Sequence, residues 1–285
     1  MARVVSKPRQ FKLINGQGNT WDLMSKQSLF INPQGLGYDL NTEYLRVGSV
    51  YELIDSYANQ KVVSGEMVFA SYAVYKQFTE FVNITPLKLA YMPLDEWAYM
   101  DVLTTAIEKT EFQFESTRLI CPITFTGSSK WYIPRSAKRT SDDVDNPKKY
   151  DYSYDYQYAD ELNGVIRINN QSSEESPVII TIFGNIENPA WYLTVNNKQI
   201  ASGAVDAIIP ADHKLVVNSN DGELEVAEYV SETDEFVRNL YQYVDFDRET
   251  FIDVPQGNSV ITITGNTGGS SISAMVEVKE LHETI

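Results

Sequence analysis

Apolar side chains alternate with polar ones through most of this chain. Phe11–Ile14, Leu29–Ile31, Val50–Ile54 and Val62–Phe69 carry the two-residue period and the β-branched and aromatic side chains of strands. Gly16-Gln17-Gly18-Asn19 lies between Phe11–Ile14 and Trp21–Leu23, so these two stretches read as the arms of a hairpin. Pro33-Gln34-Gly35-Leu36-Gly37 is a second corner of the same kind. Strand patterns resume at Leu87–Tyr91, Trp97–Ile107 and Phe112–Thr126, with a turn at Glu108–Glu111, and Trp131-Tyr132 closes the first half.

One stretch keeps a different period. Phe69, Tyr72, Tyr75, Phe78 and Phe81 recur every third residue, with Val74 and Val82 between them. This spacing predicts a helix over 70–83 lying across a sheet, with Phe78 and Phe81 buried, and Thr85-Pro86 ends it. Aromatic residues at this spacing read as core packing rather than as a cofactor site.

Pro134–Lys149 is polar, charged and poor in large apolar groups, which predicts a linker over 135–149. In YDYSYDYQY that follows, Tyr150, Tyr152, Tyr154, Tyr156 and Tyr158 would share one face of a strand. Beyond it come short strand patterns separated by turn residues, with no convincing helix. That arrangement predicts a β-sandwich or jelly roll. The expected organisation is thus mainly β. Residues 1–134 form a barrel- or sandwich-like domain with one helix, and residues 150–285 form a β-sandwich. Whether Glu280–Ile285 stays with the second domain or returns to the first is open.

Charge sharpens this division. The 285 residues carry a formal charge of −16. Residues 1–134 hold 13 acids and 12 bases, whereas 135–285 hold 26 acids and 11 bases. The near-neutral half is expected to pack against copies or partners, and the acidic half to face water. So acidic a surface argues against tight nucleic-acid binding and against docking on an anionic membrane. Arg3, Lys7, Arg9 and Lys12 are the exception and are expected to face a protein. With a single cysteine, Cys121, no intrachain disulfide forms. The opening MARVVSKPRQF lacks an apolar core of signal-peptide length, so folding in a reducing cytosol is expected. No stretch reaches the about 18 apolar residues of a membrane span. The sequons Asn83-Ile-Thr85 and Asn170-Gln-Ser172 are read as chance matches.

Catalytic motifs are scarce. The first glycine corner has Trp21 where a dinucleotide fingerprint needs glycine, and no helix follows it. His213 and His282 lie near no nucleophile motif, and Cys121 reads as a small buried hydrophobe. Asp245, Asp247, Glu249 and Asp253 are dense acids in an acidic half rather than a glycosidase pair. Asp142-Asp143-Val144-Asp145-Asn146 lacks the glycine and closing glutamate of a calcium loop. No catalytic, cofactor-binding or metal-binding residue is assigned, no cofactor is expected, and the chain is read as a non-enzyme.

FKLINGQGNTWDL with PQGLGY resembles the N-terminus of the distal tail proteins of long-tailed, non-contractile phages. VVSGEMVFASYAVYKQFTEFVN and FQFESTRLICPITFTGSSKWY resemble the rest of that family's N-domain. YDYSYDYQY, IFGNIENPAWYLTVN, LVVNSNDGELEV and VDFDRETFIDVPQGNSVITITGN resemble successive parts of its C-domain, so the resemblance spans the chain. It implies a ring-forming N-domain, a galectin-like C-domain and a homo-hexameric ring in the virion, assembled in the bacterial host cytoplasm. The implied partners are the tail tube protein, the tail-associated hub protein and peripheral receptor-binding or baseplate proteins. The rival reading is a carbohydrate-binding module that recognises host glycans through an exposed aromatic such as Trp191.

Overall fold

A computed structural model of the chain describes residues 9–109, 117–139 and 164–285. The tyrosine run at 150–158, the acidic loop at 142–146, residues 112–116, Arg3 and Lys7 lie outside the described residues. Contacts divide the chain into two compact units, Met1–Ile133 with His282–Ile285, and Pro134–Leu281. The last four residues therefore group with the first unit, and Ile285 packs against that unit's core.

The first unit is built from β1 (Gln10–Ile14), β2 (Thr20–Asp22), β3 (Ser28–Gln34), β4 (Leu40–Val47), β5 (Val50–Ala58) and β6 (Val62–Phe69). Helix α1 (Tyr72–Val82), β7 (Leu87–Met92), β8 (Ala98–Ile107), β9 (Leu119–Gly127) and the start of β10 (Trp131–Arg139) complete it. Antiparallel pairing runs β2-β1-β7-β8-β9-β6-β3. One isolated bridge, Met24 to Leu29, joins the stretches after β2 and within β3, and the sheet does not close into a barrel. This corrects the barrel alternative for the N-terminal half.

The strand period is visible in the burial. In β9, Leu119, Cys121, Ile123 and Phe125 point into the core while Ile120 faces out. The β1–β2 turn is held by Asn15, whose Oδ1 accepts from the Gln17 and Asn19 amides at 3.1 and 3.0 Å. Gly18 takes φ +78°, and a Cβ on Gly16 would lie 2.2 Å from the Thr85 carbonyl oxygen. Gly18 serves the reversal that the pattern predicted, and Gly16 serves a close approach to Thr85 that it did not.

Ser71 caps α1, its Oγ accepting from the Val74 amide at 3.4 Å. Only Phe78 and Val82 are buried on the helix; Tyr75, Val74 and Phe81 are half-covered, and Tyr72 is exposed. The expected burial of Phe81 is corrected accordingly. Three residues advance a helix by roughly 300°, so a three-residue stripe drifts off the face that Phe78 anchors. Phe78 meets Phe69 and Trp21 with ring centroids 5.2 and 5.4 Å apart.

The predicted linker begins as strand. β10 continues through Arg139, so residues 135–139 are extended rather than loop. The polar composition was real, but alternation within it suffices for a strand. The second unit holds β11 (Gly164–Asn170), β12 (Ser176–Phe183), β13 (Ile186–Val195), β14 (Lys198–Ala204), β15 (Ile208–Ile209) and β16 (His213–Asn218). It continues with β17 (Glu225–Val230), β18 (Phe236–Asn239), β19 (Asp253–Val254), β20 (Gly257–Asn266) and β21 (Ala274–His282). One sheet runs β18-β17-β16-β12-β21, and the other runs β11-β20-β13-β14 with β15 on β13. Val178, Ile180, Leu215, Val217 and Val276 from the first meet Ile166, Trp191, Leu193, Ile261 and Ile263 from the second in one core. Two sheets sharing one apolar layer make the sandwich that the short strands predicted.

Candidate functional site

Many exposed large apolar side chains lie in β4 and β5, among them Tyr44, Leu45, Tyr51 and Ile54. Among the described residues these strands pair only with each other, as a two-stranded sheet turned at Gly48-Ser49, with Gly48 at φ +65°. Tyr44 faces Leu53 and Arg46 faces Tyr51 on one side of the ribbon. Leu45 faces Glu52, and Val47 faces Val50, on the other. Alternation puts apolar groups on both faces, and Tyr51 and Ile54 are 67% and 62% exposed. A two-stranded hairpin is marginal in water by itself. An apolar ribbon uncovered on both faces has the composition of a contact surface.

The base of this hairpin is firmly held. Lys61, just after β5, is buried and donates from Nζ to the Gly37 carbonyl oxygen. A Cβ on Gly35 would lie 1.9 Å from the Val62 carbonyl oxygen, so the corner before β4 presses against β6. The second glycine corner of the sequence thus positions the hairpin. Sequence reasoning found β5 but missed β4, because Leu40–Val47 mixes polar and apolar residues without a buried face to enforce alternation.

The residues weighed for chemistry do not converge. Cys121 is buried in β9. Asp245 pairs with Arg248 at 2.8 Å, and its Oδ1 accepts from the Asp247 amide at 3.2 Å. Asp253 has its pKa pushed up by burial and by the nearby charges of Asp221, Glu175 and Glu249. Among the described residues no group of three His, Cys, Asp or Glu is placed to hold a metal ion. No helix among them is long and apolar enough to cross a membrane. Lys12 sits over the Trp97 ring at 4.2 Å, a cation–π contact within the chain. Asn170 is buried, its Nδ2 donating to Glu174 O, Ser176 Oγ and Val254 O, so that sequon is closed to a glycan.

Trp191 is fully buried, with Nε1 donating to the Thr250 carbonyl at 3.2 Å. It offers no ring to a sugar, which corrects its nomination as an exposed platform. A buried polar cluster around Glu228 was not anticipated. Glu228 on β17 is 2% exposed yet holds His213 Nδ1 through Oε1 and Arg238 Nε through Oε2, the latter at 2.6 Å. Burial pushes its pKa up, but the bonds and charges of His213 and Arg238 outweigh this, and the net position is below an ordinary glutamate. Neighbouring Tyr229 is pushed up to about 12 by burial and by its bond to Glu225.

The fold and this surface define a two-unit, mainly β protein with an uncovered arm. Residues 10–128 match the family model described as distal tail protein, N-terminal domain, so this part of the chain is similar to that domain. Two of the solved structures that share the fold along nearly the whole chain are similar as follows. One is from the baseplate of phage P2 in its activated conformation with Ca: TM-score 0.68 at 16% identity, covering 98% of this chain and 100% of that one. The other is SPP1 Dit: TM-score 0.60 at 9% identity, covering 95% and 98%. No curated protein sequence matches the chain.

Proposed function

We propose that the chain is a non-enzymatic hub of the phage tail tip, forming a homo-hexameric ring through its first unit. The ring joins the tail tube to the tail-associated hub protein and carries peripheral adsorption proteins. It is a virion component assembled in the host cytoplasm. The observation that carries the ring is the β4–β5 hairpin, apolar on both faces and paired with no other strand among the described residues. A neighbouring copy would cover it and would supply the packing that a two-stranded ribbon lacks. The near balance of charge in residues 1–134 supports close packing of that half, while the acidic half is better kept apart in water. SPP1 Dit, which shares the fold, is described as a paradigm of the hub adsorption apparatus in phages that infect Gram-positive hosts.

Light-scattering mass and negative-stain imaging of the full chain test this reading. A ring-shaped hexamer is expected for the native sequence. Leu45→Asp with Ile54→Asp should leave a folded monomer, since both side chains are exposed within the chain. A native protein that stays monomeric at high concentration, or a double variant that still assembles, overturns the hairpin's role.

A further inference from the structure

The second unit carries an open cleft of about 630 Å³ lined by Leu224, Glu225, Asn239, Tyr241, Gln242 and Phe251. Small-molecule sites span about 300–1,000 Å³. The first half of β17, the end of β18, the turn after it and the loop before β19 converge there.

Its apolar surface is aromatic and open. Tyr241 is 50% exposed, and its ring lies within 18° of parallel to that of Phe251, with centroids 6.4 Å apart. At that separation the rings are offset and side by side rather than superposed. Phe246 meets Tyr241 edge-on at 5.4 Å and braces it. The Tyr241 amide donates to Asn239 Oδ1 at 2.7 Å, which fixes the turn and orients the Asn239 amide.

The polar groups around these rings have spare capacity. Asn239 Nδ2 and the Gln242 amide have no partner among the described residues, and Glu225 uses Oε1 to accept from Tyr229 Oη at 2.7 Å. Donors and acceptors therefore ring an aromatic surface. A sugar matches both: its C–H groups suit the negative faces of the rings, and each hydroxyl donates and accepts. A purely apolar ligand would leave the polar groups unpaired. A phosphorylated or carboxylated ligand would meet the Glu225 carboxylate at short range.

We propose that this cleft binds a neutral saccharide, with Tyr241 and Phe251 as the stacking surface and Asn239, Gln242 and Glu225 as hydrogen-bonding groups. The site stands independently of the ring, and hairpin variants that fail to assemble leave it intact.

The full chain is titrated with lactose, cellobiose and di-N-acetylchitobiose by calorimetry and saturation-transfer NMR. Choline and glucose 6-phosphate serve as cationic and anionic comparisons. At least one disaccharide should bind in the millimolar range, and both charged probes should bind more weakly. Tyr241→Ala should lose at least about tenfold. Gln242→Ala, at an exposed position, should weaken binding while leaving the fold unchanged. Absence of binding by all three disaccharides, tighter binding of choline, or native affinity in both alanine variants overturns the proposal.

Discussion

The Lys61 ammonium donates to the Gly37 carbonyl oxygen at 2.9 Å from a residue only 6% exposed. Gly37 precedes the outgoing strand of the β4–β5 hairpin and Lys61 follows the returning one, so the bond ties the two ends of the hairpin together. The Lys61 carbonyl in turn accepts from the Gly127 amide at 2.8 Å, anchoring the tie to β9. Lys61→Ala removes both the bond and the packed alkyl stem. It should cost about 1–3 kcal/mol in urea unfolding and make residues 38–58 more sensitive to protease. Unchanged stability and cleavage would show that the hairpin base holds without this contact.

The helix offers a paired comparison. Phe78 is fully buried against Phe69 and Trp21, whereas Tyr72, on the same three-residue stripe, is 48% exposed. Phe78→Ala should cost about 3–5 kcal/mol and Tyr72→Ala under about 1 kcal/mol in denaturant titration. Equal costs would mean that the stripe packs as one face after all.

Glu228 gives an acid-dependent prediction. Its folded pKa lies below the ordinary 4.5, so the unfolded chain takes up this proton first as pH falls. Its stabilising contribution is therefore complete above the unfolded value and is lost as pH drops through the folded one. Glu228→Gln should lower stability at neutral pH and flatten the acid limb of the stability curve below about pH 4.5. Urea midpoints measured across that range check it; parallel curves for the two proteins would contradict the assignment.

Gly203 lies against the buried indole of Trp191, where an added Cβ would come within 2.4 Å of the ring. Gly203→Ala should displace the indole, cost about 1–3 kcal/mol and red-shift tryptophan emission. A variant with native stability and an unshifted spectrum would show that β14 can move aside without loss.

Part of the candidate surface is legible in the order of residues, and part is not. The glycine corner at Gly35 and the strand at Val50–Ile54 both stand out in the sequence. Leu40–Val47 does not, since neither face of a ribbon in water imposes a strict apolar–polar alternation. Glu228 was equally hidden: in a half with 26 acids, nothing local marks the one that is buried between His213 and Arg238. Trp191 misled for the converse reason, because an aromatic in a strand carries no mark of which sheet face it joins.

Sequence alone determined the mainly β character, a helix expected over 70–83, the hairpin at Gly16–Asn19 and the absence of a nucleotide-binding glycine loop. Each depends on local periodicity or on backbone freedom at single residues, which neighbours in the chain suffice to specify. Only the tertiary structure decided that the first sheet stays open, that residues 282–285 group with the first unit, and which aromatics face solvent. Burial depends on partners far apart in sequence. Phe78 is enclosed because Trp21 and Phe69 reach it, whereas Tyr241 stays half exposed although Phe246 and Phe251 approach its ring.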